Sequence, residues 1–588
     1  MLVALGWSLL NLRDLLGQWS TAVPIRLDNR FQAWTIHWVQ GALMGEHPLF
    51  DAATFAPAPD SLTFSDHLIG LAVVLLPLRW LGLSPAAVFN TGLVLGVVLT
   101  AVAGYALGYV LTHRRSAAVV AGTVFSVGPL PWVATTHIHL VWRLGLPLVA
   151  ALVWVLADRA ASRAVPGVAE RNAWTRLPSD RALVILLATT VAWQGLVSFF
   201  SAVFVLLVAA LVVIVRWRDL RGRLRAVFVA VGAGTLLFVP SYLPYLRTRS
   251  RLPGFNWSLD EIAFLRAAPH IVEDANLVWG GALGRPLYGT DGFHAFPGLT
   301  VTVLVVVGLT LLPAWRRRGG PGTVPTLGVV LLVVGSIAAL GPGEGRWQDW
   351  TPYALAFRFV PGFSALRGSG RFVMVALLGV TVLAAMAARE VITRWEARVR
   401  SRDPGSTTAM TRPGASTAMA VAVALLVALV AGEGVNRGRE VTPATVHAID
   451  EVLADRPEAG GVVYLPVGYD TLFDFDVQEE LVFRATAHDR PLVNGYAGFY
   501  PASARVLADR LVGLPDPAAL GCLTTYDIRF VVVTELVGTG PWVDLTDPAQ
   551  AGPLELVAEA DGELLYRVPE GHVGGSGGTC PLPGVDDG

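Results

Sequence analysis

Long apolar blocks dominate the first three quarters of the chain. A helix crosses hydrocarbon with about 20 mostly apolar residues, and candidate blocks fall at 1–16, 86–111, 116–133, 142–157, 182–197, 200–215, 226–245, 297–315, 323–341, 372–388 and 415–432. The first is short and carries Arg13 and Asp14, as it would if translation began further upstream. A further block, 68–83, holds Pro77 and Arg79 in only sixteen residues. From about residue 440 the pattern changes to strand-length apolar runs separated by turn signals and helical patterns. GGVVYLPVG (460–468) and IRFVVVTEL (528–536) read as buried strands, and ASARVLADRL (502–511) and DPAALGCL (516–523) as helices. LELVAEADGELLYRV (554–568) reads as a hairpin turning at Asp561-Gly562.

Short loops rich in Arg stay cytoplasmic. The dense clusters are Arg114-Arg115, the 158–181 loop, RWRDLRGRLR (216–225), Arg316 to Arg318, and 389–412. All of them fall on one side only if 68–83 is re-entrant or interfacial. The pattern therefore predicts a mainly α polytopic membrane protein of about 11 transmembrane helices, with the N-terminus cytoplasmic. A small C-terminal α/β domain then lies outside the plasma (inner) membrane. The expected domains are a transmembrane domain over 1–435, an extracytoplasmic domain over 436–571 and a disordered Gly-rich tail over 572–588. The less basic outer loops, including 17–85, 134–141, 246–296 and 342–371, are where chemistry is expected.

Composition agrees. The 588 residues are 53% hydrophobic and 15% charged, against about 25% charged in a soluble protein, and the mean hydropathy is +0.55. A net charge of −1 speaks against nucleic acid as a partner. All 44 basic residues are Arg, a compositional bias first and only secondarily a supply of bidentate phosphate binders. Two cysteines, Cys522 and Cys580, exclude a Cys-rich scaffold. Both would meet an oxidising compartment, which leaves a bridge between them open.

Loop 17–85 is the most informative segment. Phe31, Trp34 and Trp38 make an aromatic stripe on a helix, suited either to the headgroup layer or to packing against neighbours. Asp28 precedes that helix, either as its N-cap or as a base toward an acceptor hydroxyl. Asp66 lies just before 68–83 and is a second carboxylate candidate, whereas Asp51 and Asp60 read as turn residues. His137 and His139 form an H-x-H pair with no nearby third metal ligand. Arg143 sits at the mouth of a span, to hold a phosphate or to reach headgroups. In FRFVPGFSALRGSGRF, Arg358, Arg367 and Arg371 flank glycines, a pattern that suits a phosphate or anionic lipid. Asp291 and His294 precede another span. In RPLVNGYAGFYP, Asn494, Tyr496, Phe499 and Tyr500 are either core residues or a surface for an acceptor glycan. The chain has no P-loop, no G-x-G-x-x-G after a strand, no HExxH and no nucleophile elbow.

An acidic residue after the first span, an aromatic juxtamembrane helix, a re-entrant stretch and GYVLTHRRSAAVVAGTVFSVGPLPW (108–132) resemble the polytopic glycosyltransferases of the GT-C fold. The strings LDNRFQAWTIHWV, FAPAPDSLTFSDHLIG, THIHL, PGFSALRGSGRF and RPLVNGYAGFYP resemble a bacterial GT-C-like group with an extracytoplasmic C-terminal domain. The resemblance implies transfer of a sugar from a polyprenyl-phosphate donor to a cell-envelope glycan, lipid or protein on the outer face. It places Asp28 in the role of base or acceptor-positioning group, and makes Arg367 and Arg371 donor-phosphate candidates. No cofactor is called for with certainty. The loop reads LDN rather than a paired-acid signature, so a divalent metal and the stereochemical outcome stay open. The alternatives are a flippase of lipid-linked glycans and a non-catalytic scaffold. The apolar blocks hold few midplane charges and show no internal repeat, which weighs against transport.

Overall fold

The computed structural model describes the chain apart from residues 25–27, 130–136, 165–178, 253–254, 256–258, 260–295, 318–321, 343–348, 361–362, 367, 402–412, 436–440, 539, 570–579 and 584–588. It divides into two compact units. Unit 1 comprises Met1–Arg13, Leu93–Pro240 and Asn256–Arg439, and unit 2 comprises Asp14–Gly92, Ser241–Phe255 and Glu440–Gly588. The division does not follow the single boundary expected near residue 435: the segment after the first apolar block folds with the C-terminal sheet.

Among the described residues, six helices are long and apolar enough to cross a membrane: Pro85–Thr112, Ile138–Ala161, Asp180–Val197, Phe199–Leu220, Leu224–Arg251 and Ser369–Val399. Leu2–Asn11, Ile69–Trp80, Leu299–Thr310, Thr323–Ala339 and Thr417–Glu433 are shorter apolar helices. The block expected to span at 116–133 carries the helix Arg115–Ser126. Its twelve residues rise about 18 Å, against a hydrocarbon core of about 30 Å.

In unit 1 the helix Val373–Ser401 is the centre of packing, with Thr323–Ala339, Leu299–Thr310 and Arg115–Ser126 against it. Small residues allow this approach. A Cβ on Gly335 would lie 2.3 Å from the Ala376 nitrogen, and one on Gly379 would lie 2.4 Å from the Leu332 nitrogen. The Arg clusters are tied to one another. Arg114 makes two bonds to Glu396 at 2.9 and 3.2 Å, and Arg216 bonds Asp158 at 2.7 Å while lying over the Trp154 ring. Arg389 lies over Trp315, just before the 316–318 cluster.

Unit 2 is a three-layer α/β arrangement. Strands β1 (Ala22–Val23) and β2 (Thr442–Pro443) pair antiparallel, joining the first segment to the last. The main sheet contains β3 (Gly461–Leu465), β4 (Ile528–Val533), β5 (Glu555–Ala560) and β6 (Glu563–Arg567) in the order β3-β4-β6-β5, with β3 and β4 parallel. Alternate side chains point to opposite faces of a strand, and both faces here are covered. Val463, Leu465, Val531, Val533 and Tyr566 join the helices Ala502–Leu511 and Pro517–Thr525 through Leu507, Leu511, Leu520 and Leu523. Val462, Tyr464, Phe530, Val532 and Leu565 meet Ile449, Leu481 and Trp34.

The aromatic stripe is therefore core. Trp34 is 0% exposed, and Phe31 and Trp38 are buried with it, so the headgroup-layer reading of this helix does not hold. Stacking of Phe31 on Trp34 and of Trp34 on Trp38 places the aromatic face against the sheet layer. The expected disordered tail is corrected over 580–583. Cys580 bonds Cys522, Cys580 and Leu582 are buried in the core, and the Tyr526 hydroxyl donates to the Cys580 carbonyl.

Two buried histidines make unit 2 acid-sensitive. His488 Nδ1 accepts from the Arg490 amide at 3.0 Å, and its Nε2 faces the Tyr464 oxygen at 3.1 Å. His67 Nδ1 accepts from the Ile69 amide, and its Nε2 meets Ser241 Oγ. Burial pushes the His488 pKa down to about 4 and that of His67 to about 3. Both folded values lie below the unfolded value, so the unfolded chain takes up protons first as pH falls. Stability is then lost from about pH 6.5 downward, by about 1.4 kcal/mol per histidine per pH unit until each folded pKa is reached. His447, raised by its bond to Glu563, gains its stabilisation above pH 6.5 and adds a constant amount below it, so it leaves the slope in this window unchanged. Denaturant unfolding of the full chain in detergent should give a midpoint that drops steadily between pH 6.5 and 4.5. A flat midpoint over that window contradicts the assignment.

Candidate active site

Asp28 immediately precedes the helix Asn29–Met44 and has φ 72° and ψ −37°, with no side-chain bond to the helix amides. It therefore does not cap the helix. Positive φ with negative ψ is a rare, strained conformation for a residue with a side chain. The cap is supplied from elsewhere: Glu479 Oε1 accepts from the Arg30 amide at 2.9 Å and from the Phe31 amide at 3.4 Å. A carboxylate at a helix N-terminus satisfies orphan donors and the dipole together, so Asp28 is released from that task.

Glu479 is kept in place by Arg30, whose buried guanidinium reaches Glu479 at 3.2 Å, Glu480 at 2.9 Å and Asp476 at 2.9 Å. All three acids lie on the helix Leu472–Arg484. Above Asp28, the Tyr496 hydroxyl donates to Oδ1 at 2.9 Å, and the Tyr496 ring packs on Phe31 at 5.5 Å. Burial first, then the negative charges of Asp28 and Glu479, holds the Tyr496 pKa well above its usual range. The hydroxyl stays protonated and keeps donating.

Unit 1 holds a second constellation. Arg371 is 8% exposed. It approaches His139 Nε2 at 3.4 Å and His137 Nε2 at 3.1 Å, and lies 4.4 Å from the centroid of the Phe200 ring. An imidazole accepts a hydrogen bond only through a deprotonated nitrogen, so these two partners orient the guanidinium without cancelling its charge. The histidines meet a cation here, which disfavours the metal reading of the H-x-H pair. The remaining Arg candidates differ. Arg143 gives its two Nη groups to the Leu140 and Phe125 carbonyls, each at 2.9 Å, and is buried at a helix end rather than presented to a ligand. Arg367, Asp291 and His294 lie outside the described residues.

Asn494 is corrected from acceptor contact to fold element. Its amide bridges Tyr464 N at 2.7 Å, Tyr464 O at 2.8 Å and Gln478 at 2.8 Å, and it is fully buried. Tyr500 packs in the core among Phe55, Tyr469 and Phe475, and Phe499 lies against Phe64 and Phe255. Asp51 accepts the Asp60 amide at 2.8 Å, the expected turn. Asp66 is half-buried between Ser65, whose carbonyl accepts from Tyr245 at 2.7 Å, and His67. Sequence reasoning missed Arg30 and Glu479. The available signal was the acidic run DFDVQEE (474–480), charged residues too dense for a helix packed on a sheet unless a cation meets them. Among the described residues, one group could hold a metal ion: Glu46, His47 and Asp489.

No protein-family model matches the chain, and no curated protein matches it. Among solved structures it is similar to the oligosaccharyltransferase of Archaeoglobus fulgidus, with a TM-score of 0.45 and 12% identity over 94% of this chain and 72% of that one. It is similar to ArnT from Cupriavidus metallidurans at a TM-score of 0.41 and 14% identity, over 97% of this chain and 99% of that one. A third is the arabinofuranosyltransferase AftD from Mycobacteria, at a TM-score of 0.44 and 15% identity, over 97% of this chain and 41% of that one. The structural neighbours of this chain are glycosyltransferases of the GT-C fold.

Proposed function

We propose that the chain is a multi-pass plasma-membrane glycosyltransferase. On this reading about eleven helices cross the bilayer and the C-terminal α/β domain over 436–571 stands on the outer face. A sugar passes from a polyprenyl-phosphate donor to an acceptor hydroxyl or amide of the cell envelope. One observation carries the reading: Asp28 keeps a strained backbone and is relieved of helix capping by Glu479. A fold that moves a carboxylate out of its commonest structural role, then orients it with a tyrosine, has the form of a site kept for chemistry. Asp28 would accept the proton of the incoming nucleophile or fix its direction. Arg371, oriented by His137 and His139, would neutralise the phosphate that leaves. An activated sugar that arrives on a lipid needs no nucleotide site, in keeping with the missing nucleotide motifs.

The test is turnover of purified, reconstituted protein with synthetic polyprenyl-phosphate sugars. Removing a charged hydrogen-bond donor costs about 1.5–3 kcal/mol. Arg371→Ala should therefore raise the donor KM by roughly 10–100-fold, and Arg371→Lys should recover only part of this, since Lys lacks the planar fork. An unchanged donor KM in Arg371→Ala removes it from phosphate binding. Release of polyprenyl phosphate by no donor tried would overturn the proposal itself.

A further inference from the structure

At the far end of the helix Asn29–Met44, on the unit 2 surface, lies a group of side chains that the proposed transfer does not use. We infer that Glu46, His47 and Asp489, with His37 beside them, form a binding site for a divalent cation of the zinc class. One ligand atom from each of Glu46, His47 and Asp489 lies within 4.8 Å of the others, a span that one ion can bridge with bonds of about 2.0–2.2 Å. His37 Nε2 is 3.4 Å from Asp489 Oδ2. Imidazole with carboxylate is a donor set suited to zinc and its neighbours rather than to calcium or magnesium.

Three independent features prepare these atoms for a ligand. First, His47 Nε2 and Asp489 Oδ1 are buried and have no hydrogen-bond partner, an unfavourable state that a bound ligand would relieve. Second, the His47 ring is already oriented. Its Nδ1 faces the Pro48 carbonyl at 3.3 Å, which favours the tautomer with a lone pair on Nε2, and the ring stacks on Trp38 with centroids 3.5 Å apart. A hydrogen bond from the second ring nitrogen to an oxygen is the usual support of a metal-bound histidine. Third, Gly41 leaves the space. A Cβ there would lie 2.5 Å from His47 Nε2 and 2.6 Å from Glu46 Oε2, so any other residue would push both ligand atoms away.

Arg79 holds Glu46 Oε2 at 2.8 Å and the His37 carbonyl at 2.8 Å. It orients the exposed carboxylate and offsets part of the negative charge. Glu46 is exposed, giving a cation a path from solvent, whereas His47 and Asp489 are half-buried. A bound ion would clasp the end of the Asn29–Met44 helix to the segment after the helix Leu472–Arg484. No bond of a substrate is made or broken there.

The inference is tested on the full chain in detergent, stripped with a chelator and titrated with Zn²⁺ by calorimetry. Co²⁺ serves as a spectroscopic probe of nitrogen and carboxylate ligation. The wild type should bind one equivalent and melt at a higher temperature when loaded. His47→Phe keeps the stacked ring without the ligand atom, and Asp489→Asn keeps the shape without the charge. Each should weaken Zn²⁺ binding at least about tenfold and abolish the thermal shift, and Gly41→Ala should do the same. Binding of equal affinity and stoichiometry in wild type, His47→Phe and Asp489→Asn, or no binding by the wild type, overturns the inference. The readout is metal binding, so either result leaves the proposed role of Asp28 standing.

Discussion

Asp28→Asn should reduce sugar transfer by about 10²–10⁴-fold, the range for loss of a general base, with little change in donor KM. Its fold should survive, because Glu479 and not Asp28 satisfies the helix amides. Asp28→Gly sharpens the point. Glycine adopts positive φ without strain, so this variant should be equally inactive, with the roughly 1 kcal/mol of relieved strain offsetting most of the lost Tyr496 bond and leaving the melting temperature close to wild type. Tyr496→Phe removes one hydrogen bond to Oδ1 and should lower kcat only several-fold, a positioning effect of about 1 kcal/mol. The alternative, that Asp28 serves only the helix, predicts the reverse: a stability loss of about 1 kcal/mol on substitution and unchanged turnover. Parallel melting and transfer assays on the three variants separate the two.

The largest stability effect is expected at Arg484, which lies under the main sheet and is 0% exposed. Its guanidinium bonds Asp450 at 2.9 and 2.8 Å and Glu563 at 2.8 and 2.6 Å. Tyr464 adds a bond to Asp450 at 2.8 Å. Bonding to Glu563 and Asp450 outweighs burial and holds the Arg484 pKa above its ordinary value, while, against burial, hydrogen bonds from His447 and then Arg484 keep Glu563 below the usual carboxylate range. Arg484→Met would leave the buried Asp450 without a cation and Glu563 with only the His447 imidazole at 3.4 Å, a cost of about 3–5 kcal/mol. For a unit of this size the melting temperature should fall by about 10 °C. Combining Arg484→Met with Asp450→Asn and Glu563→Gln should recover most of the loss, since a buried ionic cluster can often be replaced without large cost. If the single substitution melts within about 2 °C of wild type, the cluster is not the electrostatic centre of unit 2.

What could be read from the sequence follows the range of the interactions involved. The strands 460–468 and 528–536, the two helices between them and the turn at Asp561-Gly562 are set by local alternation and turn chemistry, and they appear as β3 to β6 with their helices. Asp561 and Gly562 both have positive φ, as the two-residue hairpin requires. The pairing of Ala22–Val23 with Thr442–Pro443 left no local trace, because two-residue strands carry too little pattern to announce a partner. For the same reason loop 17–85 looked like a membrane-surface excursion, although Thr54, Phe55 and Ala56 bond the Asn494 and Leu492 carbonyls.

The site shows the same division. Asp28 and Tyr496 were visible as residues of the right type, but that Glu479 caps the helix in place of Asp28 is a tertiary fact. Capping rules see only residues adjacent in sequence. Asn494 and Arg143 were misread for one reason: an amide or a guanidinium beside turn residues looks available until the backbone groups that consume it are placed. Here Tyr464 takes the first, and the Leu140 and Phe125 carbonyls take the second.

The most direct test of the account follows both halves of the donor in one experiment. Sealed vesicles containing the reconstituted protein are loaded with a polyprenyl-phosphate sugar that carries separate labels on sugar and lipid, together with an envelope acceptor. The sugar label should move covalently to the acceptor while polyprenyl phosphate appears in equal amount, and Asp28→Asn should block both. An intact glycolipid carried across the bilayer with both labels still joined, at the same rate in wild type and Asp28→Asn, would contradict it and identify the protein as a carrier.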